Sequence, residues 1–229
     1  MIPATSRGHR RFTDRREAGV VLADRLRQFA GRGDVVVLGL PRGGVPVAYE
    51  VATALRAPLD VFVVRKLGMP GHPEFAIGAI ASGGVRVLDE NLLRWHRVPA
   101  AALDQIVQAE QHELERRERA YRGTRPPLSL EGRTVILVDD GLATGSTMRA
   151  AVLAVRRLLP SEIVVATPVG AAEACHALDE IADEVVCARM PVPFTAVGLW
   201  YQNFGETTDD EVRRLLAAAA ADPPMKRSA

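Results

Sequence analysis

Apolar residues follow two rhythms along this chain. Val35 to Leu40 and Val135 to Val138 are unbroken apolar runs, the pattern of strands covered on both faces. Met148, Val152, Val155 and Leu159 instead recur at helical spacing within Ser146 to Leu159. Extended along the chain, these rhythms predict a helix over 14–29, strand 35–40, helix 45–56 and strand 59–65. Strands near 76–81 and 85–88 and a helix over 100–121 follow. Strand 134–138, helix 146–159, strand 162–168, helix 171–181, strand 184–188 and a last helix from Asp209 complete the order. Strand and helix alternate, which predicts an α/β fold with a mainly parallel, twisted sheet, flanking helices and right-handed crossovers.

The stretch Asp139 to Thr147 lies where a buried strand gives way to a helix. The first N–H groups of a helix lack internal partners, and the helix dipole adds partial positive charge, so a phosphate suits that position. Gly141 and Gly145 permit close backbone approach, and Thr144, Ser146 and Thr147 bring hydroxyls. Two carboxylates, Asp139 and Asp140, would repel a phosphate unless they faced hydroxyls or a cation. A ribose with adjacent hydroxyls and a magnesium ion meet both demands, so the run reads as a sugar-phosphate site.

Two further loops carry matching chemistry. Pro41-Arg42-Gly43-Gly44 turns tightly from a strand into a helix and reads as a second anion loop. Val64-Arg65-Lys66 ends a strand, after which Gly68, Pro70, Gly71 and Pro73 predict an irregular, mobile and basic loop. Two cations at the root of such a segment suit a diphosphate that is covered during reaction and then released. His72 and Glu74 are available for acid-base work or stand simply solvated. All three loops leave the carboxyl end of a predicted strand, where open α/β sheets bind ligands.

The spacing of strand, Asp139-Asp140 and Ala143-Thr144-Gly145-Ser146-Thr147 resembles the phosphoribosyl diphosphate (PRPP) signature of type I phosphoribosyltransferases. The resemblance implies that fold, with a small hood and a helical insertion, in a single domain over 1–229. Its core would cover about 30–88 and 134–190, its insertion about 89–133 and its hood about 191–229. Asp139 and Asp140 would hold the ribose hydroxyls, and Ala143 to Thr147 would hold the 5′-phosphate. Arg42, Gly43 and Gly44, with a non-proline cis peptide near Arg42 or Gly43, would hold pyrophosphate together with Arg65 and Lys66. Arg65, Lys66, Asp139 and Asp140 would form the catalytic set. Mg²⁺ would be held mainly by the ligand, with Asp139 and Asp140 as possible contributors.

The implied reaction transfers the phosphoribosyl group to a nitrogen acceptor, such as a nucleobase, and releases pyrophosphate. A PRPP-sensing regulator without transfer is the alternative. Arg65-Lys66 followed by Gly and Pro-Gly is most similar to adenine phosphoribosyltransferases, although Met69 stands where a further basic residue is expected. Several 6-oxopurine members carry Asp at the position matching Ala143, so Ala143 argues against those acceptors. Trp200, Tyr201 and Phe204 are candidates for stacking on an acceptor base and equally for core packing. The resemblance also implies a homo-oligomer, a dimer.

Composition narrows the rest. A chain of 229 residues with 48% hydrophobic content can bury one good-sized core. Its net charge of +1 gives no nucleic-acid signal, and Arg116, Arg117, Arg119, Arg122 and Arg125 offer a basic face only against interleaved acids. Glu113 with Arg117 and Glu115 with Arg119 are spaced as helical ion pairs, beside an apolar stripe of Leu103, Val107, Leu114 and Tyr121. No apolar run reaches membrane-span length, and Met1 to Arg16 lacks a signal-peptide core, so the expected location is cytoplasmic. Cys175 and Cys187 read as reduced thiols, and the five histidines are scattered too widely for a metal cluster.

Overall fold

The computed structural model describes residues 10–221, which leaves Met1 to His9 of the basic opening stretch outside the described residues. Its centre is a parallel five-stranded sheet. The strands are β1 (Val35–Gly39), β2 (Leu59–Val61), β6 (Thr134–Val138), β7 (Glu162–Thr167) and β8 (Glu184–Cys187), in spatial order β2-β1-β6-β7-β8. Because β1 and β6 have water on neither face, their successive side chains enter two different cores. Val36, Leu38, Val135 and Leu137 pack with Met148, Val152 and Val155 of α5 (Ser146–Arg156) and with Cys175 and Leu178 of α6 (Ala172–Asp179). Val35, Val37, Ile136 and Val138 pack instead against α1 (Arg15–Arg25) and α2 (Gly44–Leu55).

The register places the site. Val35 pairs with Thr134 and Gly39 with Val138, so β1 and β6 run side by side and stop at one level. The loops that follow them are therefore neighbours.

The basic segment departs from expectation. The predicted strand 59–65 is broken after Val61, and the predicted loop is instead an antiparallel hairpin of β3 (Val64–Met69) and β4 (His72–Ala81). With β5 (Val85–Leu88) they make a second, three-stranded sheet, so Arg65 and Lys66 leave no parallel strand but lie within an antiparallel one. Glycine and proline are absorbed in three ways. Register shifts fall at Gly68, Gly71 turns with φ +80°, and Pro73 lies where β5 offers no partner, since β5 pairs only with Gly78 to Ala81.

The insertion contains α3 (Glu90–Trp95), which the apolar spacing did not reveal, and the expected long helix α4 (Ala100–Arg122). Val107, Leu114 and Tyr121 of α4 bury the predicted stripe against Leu67, Ile77 and the last helix, α7 (Asp209–Ala221). Its arginines are matched by acids. Arg116 and Arg117 bond Glu113, Arg119 lies 3.8 Å from Glu115, and Arg122 is buried between Asp60 and Glu118. Arg125 donates to the Leu216 carbonyl, so these five side chains form no free basic face. Both cysteines are unpaired thiols. No helix among the described residues is long and apolar enough to cross a membrane.

Candidate active site

The chain leaving β1 passes directly under the chain leaving β6. Leu40 N–H donates to the Val138 carbonyl at 2.9 Å, the Pro41–Arg42 peptide is cis, and α2 starts at Gly44. A Cβ on Gly43 would overlap the Asp140 carboxylate, and one on Gly44 would stand 2.6 Å from the Val138 carbonyl oxygen. The paired glycines thus allow the Arg42 loop to lie against the Asp139-Asp140 pair.

The two carboxylates are fixed differently. Asp139 Oδ1 accepts the Asp140 N–H at 2.8 Å. Asp140 Oδ2 accepts Arg15 Nε at 2.8 Å, and its carbonyl accepts the Tyr201 hydroxyl at 2.6 Å. Burial pushes the Asp139 carboxyl well above the ordinary carboxylate range, and the charge of Asp140 adds to that push. Burial also raises Asp140, while the Arg15 guanidinium pulls it back down.

The loop after Asp140 ends at Gly145, which takes φ +69° at the start of α5, a conformation that favours glycine. Gly145 itself brings no capping side chain; the Ser146 N–H donates to Thr144 Oγ1 at 3.4 Å, and the next N–H groups of the first turn have no partner within the helix. Ala143, Thr144, Ser146 and Thr147 line this helix start, and all four are exposed. Thr144 Oγ1 donates to Ser146 Oγ at 3.2 Å, and Lys66 Nζ donates to the same oxygen at 2.7 Å. The fold therefore assembles Arg42, Gly43, Gly44, Asp139, Asp140, the 143–147 loop and Lys66 into one continuous surface. Arg65 is turned away from it and bonds Glu110 of α4 through Nε at 2.6 Å.

Residues 15–201 match the phosphoribosyl transferase domain family. The chain belongs to that family. Proteins of two Mycobacterium tuberculosis strains, H37Rv and CDC 1551, carry provisional phosphoribosyl transferase names and are 47% identical to it over 227 residues. The alignment covers 94% of this chain and 51% of each relative, so the chain spans about half the length of these curated relatives. The crystal structure of TT1426 from Thermus thermophilus is similar at 46% identity with a TM-score of 0.81, over 91% of this chain and 98% of that one.

Several side chains that shape this candidate site gave no signal in the sequence. Arg15, the first residue of α1, reaches Asp140, donates through Nη1 to the Gly205 carbonyl at 2.7 Å and lies 4.0 Å from the centre of the Phe204 ring. Arg42 pairs with Glu206 and lies 3.7 Å from Asp209. Both contacts come from the far end of the chain, and nothing in local spacing announces them.

The aromatic group divides. Tyr201 is buried, its ring against Phe12 and Phe204, and its hydroxyl braces the backbone of Asp140, so it offers no open face for stacking. Trp200 is half-buried and Phe204 is exposed beyond its contact with Arg15. This aromatic segment is tied to the segment before α1 by Phe12 N–H to the Trp200 carbonyl at 2.8 Å and Gln202 N–H to the Phe12 carbonyl at 2.7 Å. His72 and Glu74 are exposed on the hairpin. Among the described residues, no three His, Cys, Asp or Glu side chains cluster to hold a metal.

Proposed function

We propose that this chain transfers the 5-phosphoribosyl group of PRPP to a nitrogen acceptor and releases pyrophosphate. The observation that carries this reading is the contact of Gly43 with Asp140, because it sets a backbone anion loop against a carboxylate pair beside the glycine-led start of α5. A ribose with a 5′-phosphate on one side and a diphosphate on the other has that distribution of hydroxyls and charge. Asp139 and Asp140 bind and orient the ribose hydroxyls. Backbone N–H groups and hydroxyls of Ala143 to Thr147 receive the 5′-phosphate. Arg42, Gly43 and Gly44 receive the diphosphate, for which the arginine exchanges its contacts with Glu206 and Asp209. Lys66 brings further positive charge to the phosphates, and Arg65 adds to it on the diphosphate side by exchanging its bond with Glu110.

The donor set also fits Mg²⁺. The pair offers hard carboxylate oxygens but no protein cage, and magnesium is commonly held by one or two carboxylates together with substrate phosphates and water. When bound, the ion would neutralise charge on the departing pyrophosphate. The chain's own residues position: they hold C1 of the ribose open to the acceptor nitrogen as the C1–O bond to pyrophosphate breaks. A nucleobase is the proposed acceptor. Ala143 has no polar side chain to meet a 6-oxopurine, which directs the choice towards other bases.

The deciding test is calorimetric titration of PRPP with Mg²⁺ into wild-type protein and Asp140→Asn. Loss of a charge-assisted hydrogen bond to ribose is worth about 1.5–3 kcal/mol, at least tenfold in affinity. Equal affinities, or no binding to the wild type, would refute the ribose assignment. A pyrophosphate-release assay with purines, pyrimidines and simple amines then identifies the acceptor. Tight PRPP binding without turnover on any of them would mark a sensor.

A further inference from the structure

We infer that Lys66 reads the 5′-phosphate of the sugar, so that the adjacent cations Arg65 and Lys66 do not act together on the diphosphate. The inference rests on the phosphoribosyl reading above and refines which end of the substrate this strand meets. Because both residues lie inside β3, they point to opposite faces of the second sheet. Their neighbours of matching parity agree with the two directions. Val64, on the Lys66 face, packs with the cluster that contains Met148, Ala151 and Val152 of α5. Leu67, on the Arg65 face, packs with Val107 and Leu114 of α4, where Arg65 meets Glu110.

Lys66 consequently lies over the start of α5. Its ammonium donates to Ser146 Oγ at 2.7 Å, and among the described residues it has no carboxylate partner. A phosphate received by the first-turn N–H groups of α5 would stand beside that same hydroxyl, within reach of the ammonium. Residue type agrees. The chain holds 29 Lys and Arg residues, of which only Lys66 and Lys226 are lysine. An ammonium is a compact point charge with rotatable donors, so it can meet a phosphate oxygen and the Ser146 hydroxyl together without the fixed planar fork of a guanidinium. Arg65 is also an ion-paired side chain, about a quarter exposed, whereas Lys66 is exposed.

The test separates the two ends of the substrate by using each alone. Ribose 5-phosphate and inorganic pyrophosphate are titrated by calorimetry into wild type, Lys66→Met and Arg65→Met at one ionic strength. The expected result is at least tenfold weaker ribose 5-phosphate binding in K66M with pyrophosphate binding within twofold of wild type. R65M should show the reverse preference, losing more pyrophosphate than ribose 5-phosphate binding, which excludes a general effect of losing one positive charge. Unchanged ribose 5-phosphate binding in K66M, or an equal or larger loss of pyrophosphate binding, overturns the inference and leaves the phosphoribosyl reading intact. A wild type that binds neither ribose 5-phosphate nor PRPP overturns both.

Discussion

Replacing Arg15 by Met removes one guanidinium and tests how the Asp140 carboxylate is held. Arg15 and Asp140 are 13 and 15% exposed, so their pair at 2.8 Å lies close to the buried limit. Breaking a buried pair costs about 3–5 kcal/mol because it strands a charge, while a solvated pair is worth about 0–1 kcal/mol. Residual solvent places this loss near the lower buried value, about 3 kcal/mol. The stacking of Arg15 on Phe204 adds about 0.5–1 kcal/mol, as expected for a ring open to water on one side. Together these come to about 3.5–4 kcal/mol, and at about 2–4 °C per kcal/mol for a domain of this size Tm at neutral pH should fall by roughly 7–16 °C in a calorimetric scan. Methionine preserves much of the aliphatic stem, so the lost charge dominates.

The same variant has a pH signature. Burial raises the Asp140 carboxyl and Arg15 opposes that rise, so without Arg15 the carboxyl takes up a proton at higher pH. The stability gap between wild type and variant is therefore widest where Asp140 is ionised in both proteins. It narrows as acidification neutralises the stranded charge. A Tm change below about 2 °C at neutral pH, or a gap that does not narrow on acidification, would refute the reasoning.

Asp139→Asn should separate stability from binding. The native carboxyl is raised, so between the ordinary carboxylate pKa of about 3.9 and the raised native value the folded state binds the proton more tightly than the unfolded state. Wild-type stability therefore falls as pH rises through that window. Asparagine retains the oxygen that accepts the Asp140 N–H. The neutral side chain should thus give a higher Tm than wild type at pH values of about 8 and parity near about 4, with weaker PRPP binding; a lower Tm at the higher pH would contradict it. Gly43→Ala places a methyl on the Asp140 carboxylate, although Gly43 itself has ordinary helical angles of φ −61° and ψ −32°. PRPP affinity should drop at least tenfold by calorimetry because the Arg42 loop and the carboxylate can no longer lie together, and wild-type affinity would show that their contact is dispensable.

Much of the fold was legible because its central strands are buried on both faces. Val35 to Leu40 and Val135 to Val138 carry no polar position, and only a strand covered by helices on each side accommodates them. The hairpin at 64–81 was hidden for the opposite reason. Its glycines and prolines obey local rules against regular structure, and tertiary pairing overrode them by placing Gly68 at register shifts and Pro73 beyond the reach of β5. Ends of helices also moved inward, α1 stopping at Arg25 with a separate turn at Arg27–Phe29.

The sequence by itself determined the α/β class, the acidic pair and small-residue loop of residues 139–147 at a strand-to-helix junction, and the tight glycine turn at 43 and 44, because each depends on neighbours close in the chain. Only the tertiary structure decided how those parts meet. Pairing of Gly39 with Val138 brings the two loops side by side, strand alternation sends Arg65 and Lys66 to opposite faces, and the fold brings Arg15, Tyr201 and Glu206 to the carboxylates and to Arg42. Local spacing encodes backbone geometry and burial, whereas the partner of a long polar side chain is set by whatever the packed elements place within its reach.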